Sequence, residues 1–230
     1  MRIRREKPPA HRRVVWQAAS LLLAYPDDGQ PDRLDLLQAA VTSLPASERA
    51  PLLACAEHLR ATPLITAAAE YSETFDWRRR RTLFLTYYTA GDTRNRGMAL
   101  LDFADTYRAA GVTPPADELP DHLAVLLEFA ATVDESAGYQ LLCRHRTPID
   151  LLHSGLARAA SPYAGVISAV SRTLPPATVA DLQEARRLAM QGPPAESVGL
   201  EPFAVTIPAT IPATIPVRDG APVGPRMSTR

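Results

Sequence analysis

Residues 71–101 read YSETFDWRRRRTLFLTYYTAGDTRNRGMALL. Leu83, Tyr87 and Tyr88 recur at the spacing of one helical face, Gly91 suits the left-handed residue that closes a helix, and Thr93 suits the cap of the next. The stretch therefore predicts two helices, over 79–89 and 93–110, joined at a tight corner. Its arginines are less ordinary. Arg78 to Arg81, and then Arg94 and Arg96, fall at or just inside helix starts, where each positive charge opposes the macrodipole by about 0.3–1 kcal/mol. Two compensations are open: local pairing with Glu73, Asp76 and Asp92 on a solvated face, or an anionic or backbone-rich partner.

The helical period continues outward in both directions, and alternating β-branched runs between turn signals are missing. Helices are expected over 14–24, 33–43, 47–61, 64–74, 119–133, 137–158, 163–172 and 177–190 besides the two above. Pro26-Asp27-Asp28-Gly29, Pro45, Pro63, Gly91, Gly111 with Pro114-Pro115, and Pro175-Pro176 punctuate them. Within 137–158, Thr147-Pro148-Ile149-Asp150 places a capping residue before proline, so a kink or a fresh start is expected there. The fold class is all-α, a single-domain bundle of roughly nine to ten helices whose short connections imply antiparallel neighbours.

Three segments follow: a flexible basic N-terminus over 1–13, a helical domain over 14–190, and a tail over 191–230. In the tail the composition turns to Pro, Gly, Ala and Thr, and T-I-P-A repeats almost literally between Thr206 and Pro216. Such a tract buries too little surface to offset its ordering entropy, so it is expected to be disordered or extended. The basic start followed by an apolar dozen superficially copies a secretory signal. Val14, Ala18, Leu21, Leu22 and Tyr25 instead mark an amphipathic core helix, and no small-x-small cleavage site precedes Pro26. No apolar run approaches the roughly 20 residues that span a bilayer, which predicts a soluble, cytoplasmic protein without direct membrane insertion.

At 230 residues with 46% hydrophobic content the chain can bury one good-sized core. Lys+Arg 25 against Asp+Glu 25 leaves no net charge to steer it toward nucleic acid or anionic membranes. Cys55 and Cys143 lie far apart in apolar helical patterns, as reduced and structural thiols would.

Chemistry is mostly missing. The five histidines show no H-x-x-x-H or H-E-x-x-H spacing. No phosphate-cradling loop and no G-x-S-x-G elbow occurs, and Asp27-Asp28 sits in a turn signal. Neither a catalytic residue, a metal site nor a bound cofactor is therefore expected. What remains is Glu118-Leu119-Pro120-Asp121-His122, leading into an amphipathic helix that carries Leu119, Leu123, Leu126, Ala130 and Val133. His122 is either half-buried packing or part of a site. Pro120, Asp121 and His122 are expected in the helix's first turn, where free backbone N–H groups can receive an extended peptide.

T-F-D before an Arg-rich start, L-x-L-T-Y-Y, G-D-T-R-x-R-G-x-A-L-L, and E-L-P-D-H-L-x-x-x-L-E-F-A-A together resemble the NarJ family. These are molybdenum cofactor assembly chaperones of nitrate reductase, once called delta subunits, within the wider TorD-like group. The motifs cover 71–131, and the helical layout over 14–190 agrees with that group. The resemblance implies a non-enzymatic chaperone that binds the immature catalytic (alpha) subunit of respiratory nitrate reductase. It would hold that subunit open for molybdenum cofactor insertion, delay its membrane docking, and stay out of the final enzyme. It also implies a partner-binding role for Arg79, Asp92, Arg94, Arg96, Gly97, Pro120, Asp121 and His122, with Tyr87, Tyr88 and Glu128 as groove residues, in a monomer or weak dimer. The rival from another class is a helical nucleic-acid-binding regulator using the arginine groups, against which zero net charge and the lack of a recognition-helix pattern count.

Overall fold

The computed structural model describes residues 11–114 and 117–194, which carry eleven α-helices. The first, α1 (Arg12–Leu23), is the central one. Its repeat of Val15, Trp16, Ala18, Ala19, Leu22 and Leu23 is buried on nearly every side. Each such large side chain contributes about 1.5–3 kcal/mol on leaving water. Around it pack α2 (Gln30–Ala40), α3 (Ala46–Ala61), α7 (Leu123–Thr132) and α10 (Ala164–Arg172). Three polar side chains that enter this core find partners there. Trp16 Nε1 donates to Thr173 Oγ1 at 2.8 Å, Ser20 Oγ to the Ala124 carbonyl at 2.8 Å, and Tyr71 Oη to the Leu23 carbonyl at 2.9 Å.

The remaining helices are α4 (Leu64–Phe75), α5 (Leu85–Ala90), α6 (Arg94–Ala109), α8 (Glu135–Arg144), α9 (Arg146–Arg158) and α11 (Val179–Gln191). The Asp134 carboxylate caps α8 by accepting from the Ser136 and Ala137 amides, and Thr178 with Asp181 forms a reciprocal capping box on α11. Cys55 is buried and free, and burial pushes its thiol up to about 12, which makes it a small hydrophobe.

The fold is the all-α class expected from the sequence; the break expected within 137–158 is present, shifted by two residues, and two other expected elements are built differently. The helix expected over 137–158 is two helices broken at His145, which accounts for eleven helices against ten expected ranges. The break falls two residues before Thr147, because the His145 imidazole Nδ1 lies 2.9 Å from the Leu141 carbonyl and closes α8 there. The helix expected over 79–89 is a 3-10 turn (Arg79–Arg81), an extended segment, and then the short α5. The helix expected from Leu119 begins at Leu123, so Pro120, Asp121 and His122 precede it instead of forming its first turn.

The last two corrections share one cause. The Leu123 amide donates to the Leu83 carbonyl at 2.9 Å and the Leu85 amide to the Asp121 carbonyl at 3.2 Å, an antiparallel bridge between Phe84 and His122. Leu83 and Leu85 point into the core while Phe84 points the other way, as the period of two dictates for extended backbone. Likewise Thr93 precedes α6, but its hydroxyl donates back to the Ala90 carbonyl at 2.7 Å and does not cap. The expectations for 1–10 and for the tail beyond Pro194 lie outside the described residues.

Helices α7 and α8 cross closely at Gly138, where an added Cβ would stand 2.3 Å from Ala130 Cβ and 2.5 Å from its Cα. Gly138→Ala is expected to force the helices apart and to cost about 1–3 kcal/mol. Urea unfolding monitored by circular dichroism reads this as a lower midpoint at unchanged slope.

Candidate functional site

The two-residue bridge shapes a cleft of about 550 Å³. Its floor is aromatic. Tyr25, just beyond α1, sets its ring edge against Tyr71 of α4 at 5.3 Å, and Tyr71 packs on Phe75 at 4.8 Å. Phe84 forms one wall, and the His122 ring meets it edge-on at 5.3 Å. The rim is acidic, with Asp76, Asp117, Glu118 and Glu128 lining it and no lysine or arginine among the lining residues. An aromatic floor under a rim of carboxyl groups suits a segment that is apolar on one side and cationic on the other.

Asp121, on the opposite side of the bridge from His122, is 0% exposed. Its Oδ2 accepts from the Thr86 amide at 3.0 Å and from the Thr86 hydroxyl at 2.6 Å. Thr86 Oγ1 in turn accepts from Arg96 Nε at 3.3 Å, and Arg96 reaches Asp92 Oδ1 at 3.3 Å. The Arg96 guanidinium also lies over the Phe84 and Tyr87 rings at 5.6 and 5.8 Å. Asp121, Thr86, Arg96 and Asp92 thus form one chain that sets the position of Phe84. The Pro120 carbonyl is fixed separately, by the Tyr107 hydroxyl at 2.8 Å.

His122 is 7% exposed, and burial pulls its imidazole down to about 4 against the partial opposition of Asp121 and Asp76. It is neutral at physiological pH, and its Nε2 stands 3.9 Å from Glu118 Oε2, too far for a hydrogen bond. Burial, opposed by the Leu119 amide and reinforced by Asp117, Asp121 and Asp76, raises Glu118. His122 Nδ1 and Asp121 Oδ1 are both buried, and neither has a hydrogen-bond partner among the described residues.

A stability dependence on pH follows from His122. Between the ordinary 6.5 and the folded value of about 4 the unfolded chain binds more protons, so stability is whole above 6.5 and is lost as pH falls toward 4. His145, lowered chiefly by burial, acts in the same direction, while the raised Glu118 opposes both above its ordinary value of 4.5. The His122 contribution, fully developed above pH 6.5, is on the order of 3 kcal/mol. Thermal melts are expected to show Tm falling from pH 7 to pH 5, with a shallower fall for His122→Gln.

The other candidate residues are placed as follows. Glu128 stands on the cleft rim with His122. Tyr87 lies under Arg96, whereas Tyr88 turns away and donates to the Thr82 carbonyl at 3.0 Å. Arg79 is on the same side as Tyr88, in a separate hollow with Arg158 and α11. Arg94 and Gly97 are exposed on the first turn of α6, and a Cβ on Gly97 would meet nothing within 4 Å, so no steric demand explains that glycine. Tyr25, Asp76 and Phe84 line the cleft without having stood among the sequence candidates, and Glu118, the first residue of the 118–122 stretch, lines it without having been given a partner-binding role. Phe84 had a signal: in Thr82-Leu83-Phe84-Leu85-Thr86 it is the aromatic between two core leucines of an extended run. Among the described residues no group of three or more His, Cys, Asp or Glu side chains is placed to hold a metal ion, and no helix is long and apolar enough to cross a membrane.

The profile of the nitrate reductase delta subunit family matches residues 42–169. The chain is 51% identical over 160 residues to the nitrate reductase-like protein NarX of Mycobacterium tuberculosis, a match covering 70% of this chain and 24% of that protein. It therefore spans about a quarter of the length of that relative. Against the probable nitrate reductase molybdenum cofactor assembly chaperone NarJ of Bacillus subtilis it is 30% identical over 157 residues, covering 68% of this chain and 85% of the relative. In architecture it is similar to a putative redox enzyme maturation protein from Archaeoglobus fulgidus, with a TM-score of 0.54 at 22% identity over 74% of this chain and 97% of that one.

Proposed function

Because this chain belongs to the nitrate reductase delta subunit family, we propose that it is a non-catalytic assembly chaperone for the catalytic subunit of a respiratory nitrate reductase. It acts in the cytoplasm on the immature subunit, keeps it open for molybdenum cofactor insertion, and leaves before the enzyme is complete. The molybdenum cofactor belongs to the client and not to this chain.

The observation that carries this reading is the cleft beside the Phe84–His122 bridge: an aromatic floor, an acidic rim, and a wall held in place by the Asp121–Thr86–Arg96 chain. Tyr25 and Phe84 take the apolar side chains of a client segment, Glu118 and Glu128 its cationic ones, and the neutral His122 imidazole is placed at the wall to bond to its backbone. Asp121, Arg96 and Tyr87 act on the segment through Phe84 and are positioning residues. Burial of about 600–800 Å² on each side would be enough, with Kd near micromolar, or about −8 kcal/mol, so that the maturing client can withdraw. Folding of the client buries the segment in its own interior and thereby releases the chaperone.

The reading is tested by calorimetric titration with overlapping segments of the catalytic subunit. One segment, amphipathic and basic, is expected to bind at micromolar Kd. Phe84→Ala should weaken it about tenfold or more, the loss of one aromatic anchor, without changing the helical circular dichroism. Equal binding by acidic and basic segments, or none by any, would overturn it.

A further inference from the structure

A second concave surface, separate from the acidic cleft, gathers arginines. Arg78, Arg79, Arg80, Arg81 and Arg158 line a hollow of about 430 Å³, and an adjoining one of about 190 Å³ shares Arg79, Arg80 and Arg158. Neither hollow has a carboxylate in its lining. Elsewhere eight arginines each pair with an Asp or Glu. Among the described residues none of these five guanidinium groups has a hydrogen bond or an ion pair to the protein.

The array is built on a fixed base. The 3-10 turn (Arg79–Arg81) rests on α9 at Gly155, where an added Cβ would come within 3.1 Å of both the Arg80 carbonyl oxygen and Arg81 Cγ. The Tyr88 hydroxyl donates to the Arg80 carbonyl at 3.3 Å and to that of Thr82 at 3.0 Å, so a buried side chain holds the turn from below. A chain with no net charge has thus gathered five like charges on a braced turn and in the last turn of α9, a local positive field that attracts an anion. At the rim stands Trp77, 75% exposed and lining the larger hollow.

We propose that this hollow binds a small organic phosphate, a nucleoside diphosphate or a compound of that chemistry. Its phosphates lie on the guanidinium forks and its planar ring against Trp77. Guanidinium groups bind phosphate oxygens in bidentate fashion, and the indole face accepts a heterocycle whatever its substituents. The larger hollow is open to solvent and has room for a pair of phosphates beside a planar ring. Nucleic acid would instead require a track of cations following successive phosphates, and these five are confined to one depression. The inference does not depend on the client-binding role of the cleft.

The test uses the full chain with ADP and inorganic pyrophosphate as probes, read by calorimetry and tryptophan fluorescence. Trp16 is fully buried, so quenching reports Trp77. ADP is expected to quench and to bind with Kd of roughly 10–100 μM, and pyrophosphate more weakly. Arg80→Gln with Arg158→Gln should weaken both probes about tenfold or more, with an unchanged thermal melt. Trp77→Phe should weaken ADP about threefold to tenfold and leave pyrophosphate within about twofold. Binding of neither probe below millimolar concentration, affinities unmoved by the double arginine replacement, or duplex DNA binding more tightly than ADP would each overturn the proposal.

Discussion

Asp121→Ala is expected to lower stability by about 3–5 kcal/mol, because the Thr86 amide and hydroxyl lose their shared acceptor inside the core. A bond to a charged acceptor contributes about 1.5–3 kcal/mol, and a buried donor left without one bears its own desolvation cost. For a domain of this size the loss corresponds to roughly 10 °C or more in Tm. The effect does not stop at Thr86, since the same hydroxyl accepts from Arg96, whose guanidinium lies over Phe84. Asp121→Asn keeps an oxygen facing Thr86 and should lose about half as much. Thr86→Val combined with Asp121→Ala should lose less than the sum of the two, as groups in one hydrogen-bond chain do. Client-segment binding by Asp121→Asn, measured well below its Tm, is expected to stay within a few-fold of the parent protein. A strong loss of binding with little loss of stability would move Asp121 from a positioning role into the contact itself.

The second large effect is electrostatic. Glu118→Lys with Glu128→Lys changes the charge of the cleft rim by four units and leaves the aromatic floor in place. At the few-ångström separations of a bound cationic side chain, with the effective dielectric of a protein surface, the exchange of attraction for repulsion costs about 3 kcal/mol in all, or roughly a hundredfold in Kd. Glu118→Gln with Glu128→Gln removes only the attraction and should cost about tenfold, an effect that shrinks as salt rises. Because burial already raises Glu118, acidification should weaken the segment's binding. Equal affinity for all three rims would show that apolar contact alone holds the client.

The elements that carry the core were legible because their apolar residues recur over several turns. The stripes of α1, α9 and α10 need no partner to be recognised, and prolines and glycines mark the ends. The bridge was not legible, since it engages one residue on each side, far below the length at which an alternating pattern separates from chance. Leu119, Leu123 and Leu126 read as one helix for the same reason: nothing local reveals that the Leu123 amide is taken by the Leu83 carbonyl forty residues away. The site inherits the difficulty. Asp121 and His122 are neighbours in sequence, yet extended backbone sends one into the core and the other to the cleft wall. Tyr87 and Tyr88 are parted in the same way by a helical step, one under Arg96 and the other under the arginine turn. Residue type pointed to these positions, and backbone geometry divides them between two surfaces.

The most direct measurement is capture on the immobilised full chain of two forms of the nitrate reductase catalytic subunit, one cofactor-free and one complete. The cofactor-free form is expected to be retained at micromolar affinity and released by the basic segment found in the titration, while the complete form passes through. Equal retention of both forms, or retention of the cofactor-free form that persists with Glu118→Lys and Glu128→Lys together, would contradict a cleft built to hold the unfinished subunit.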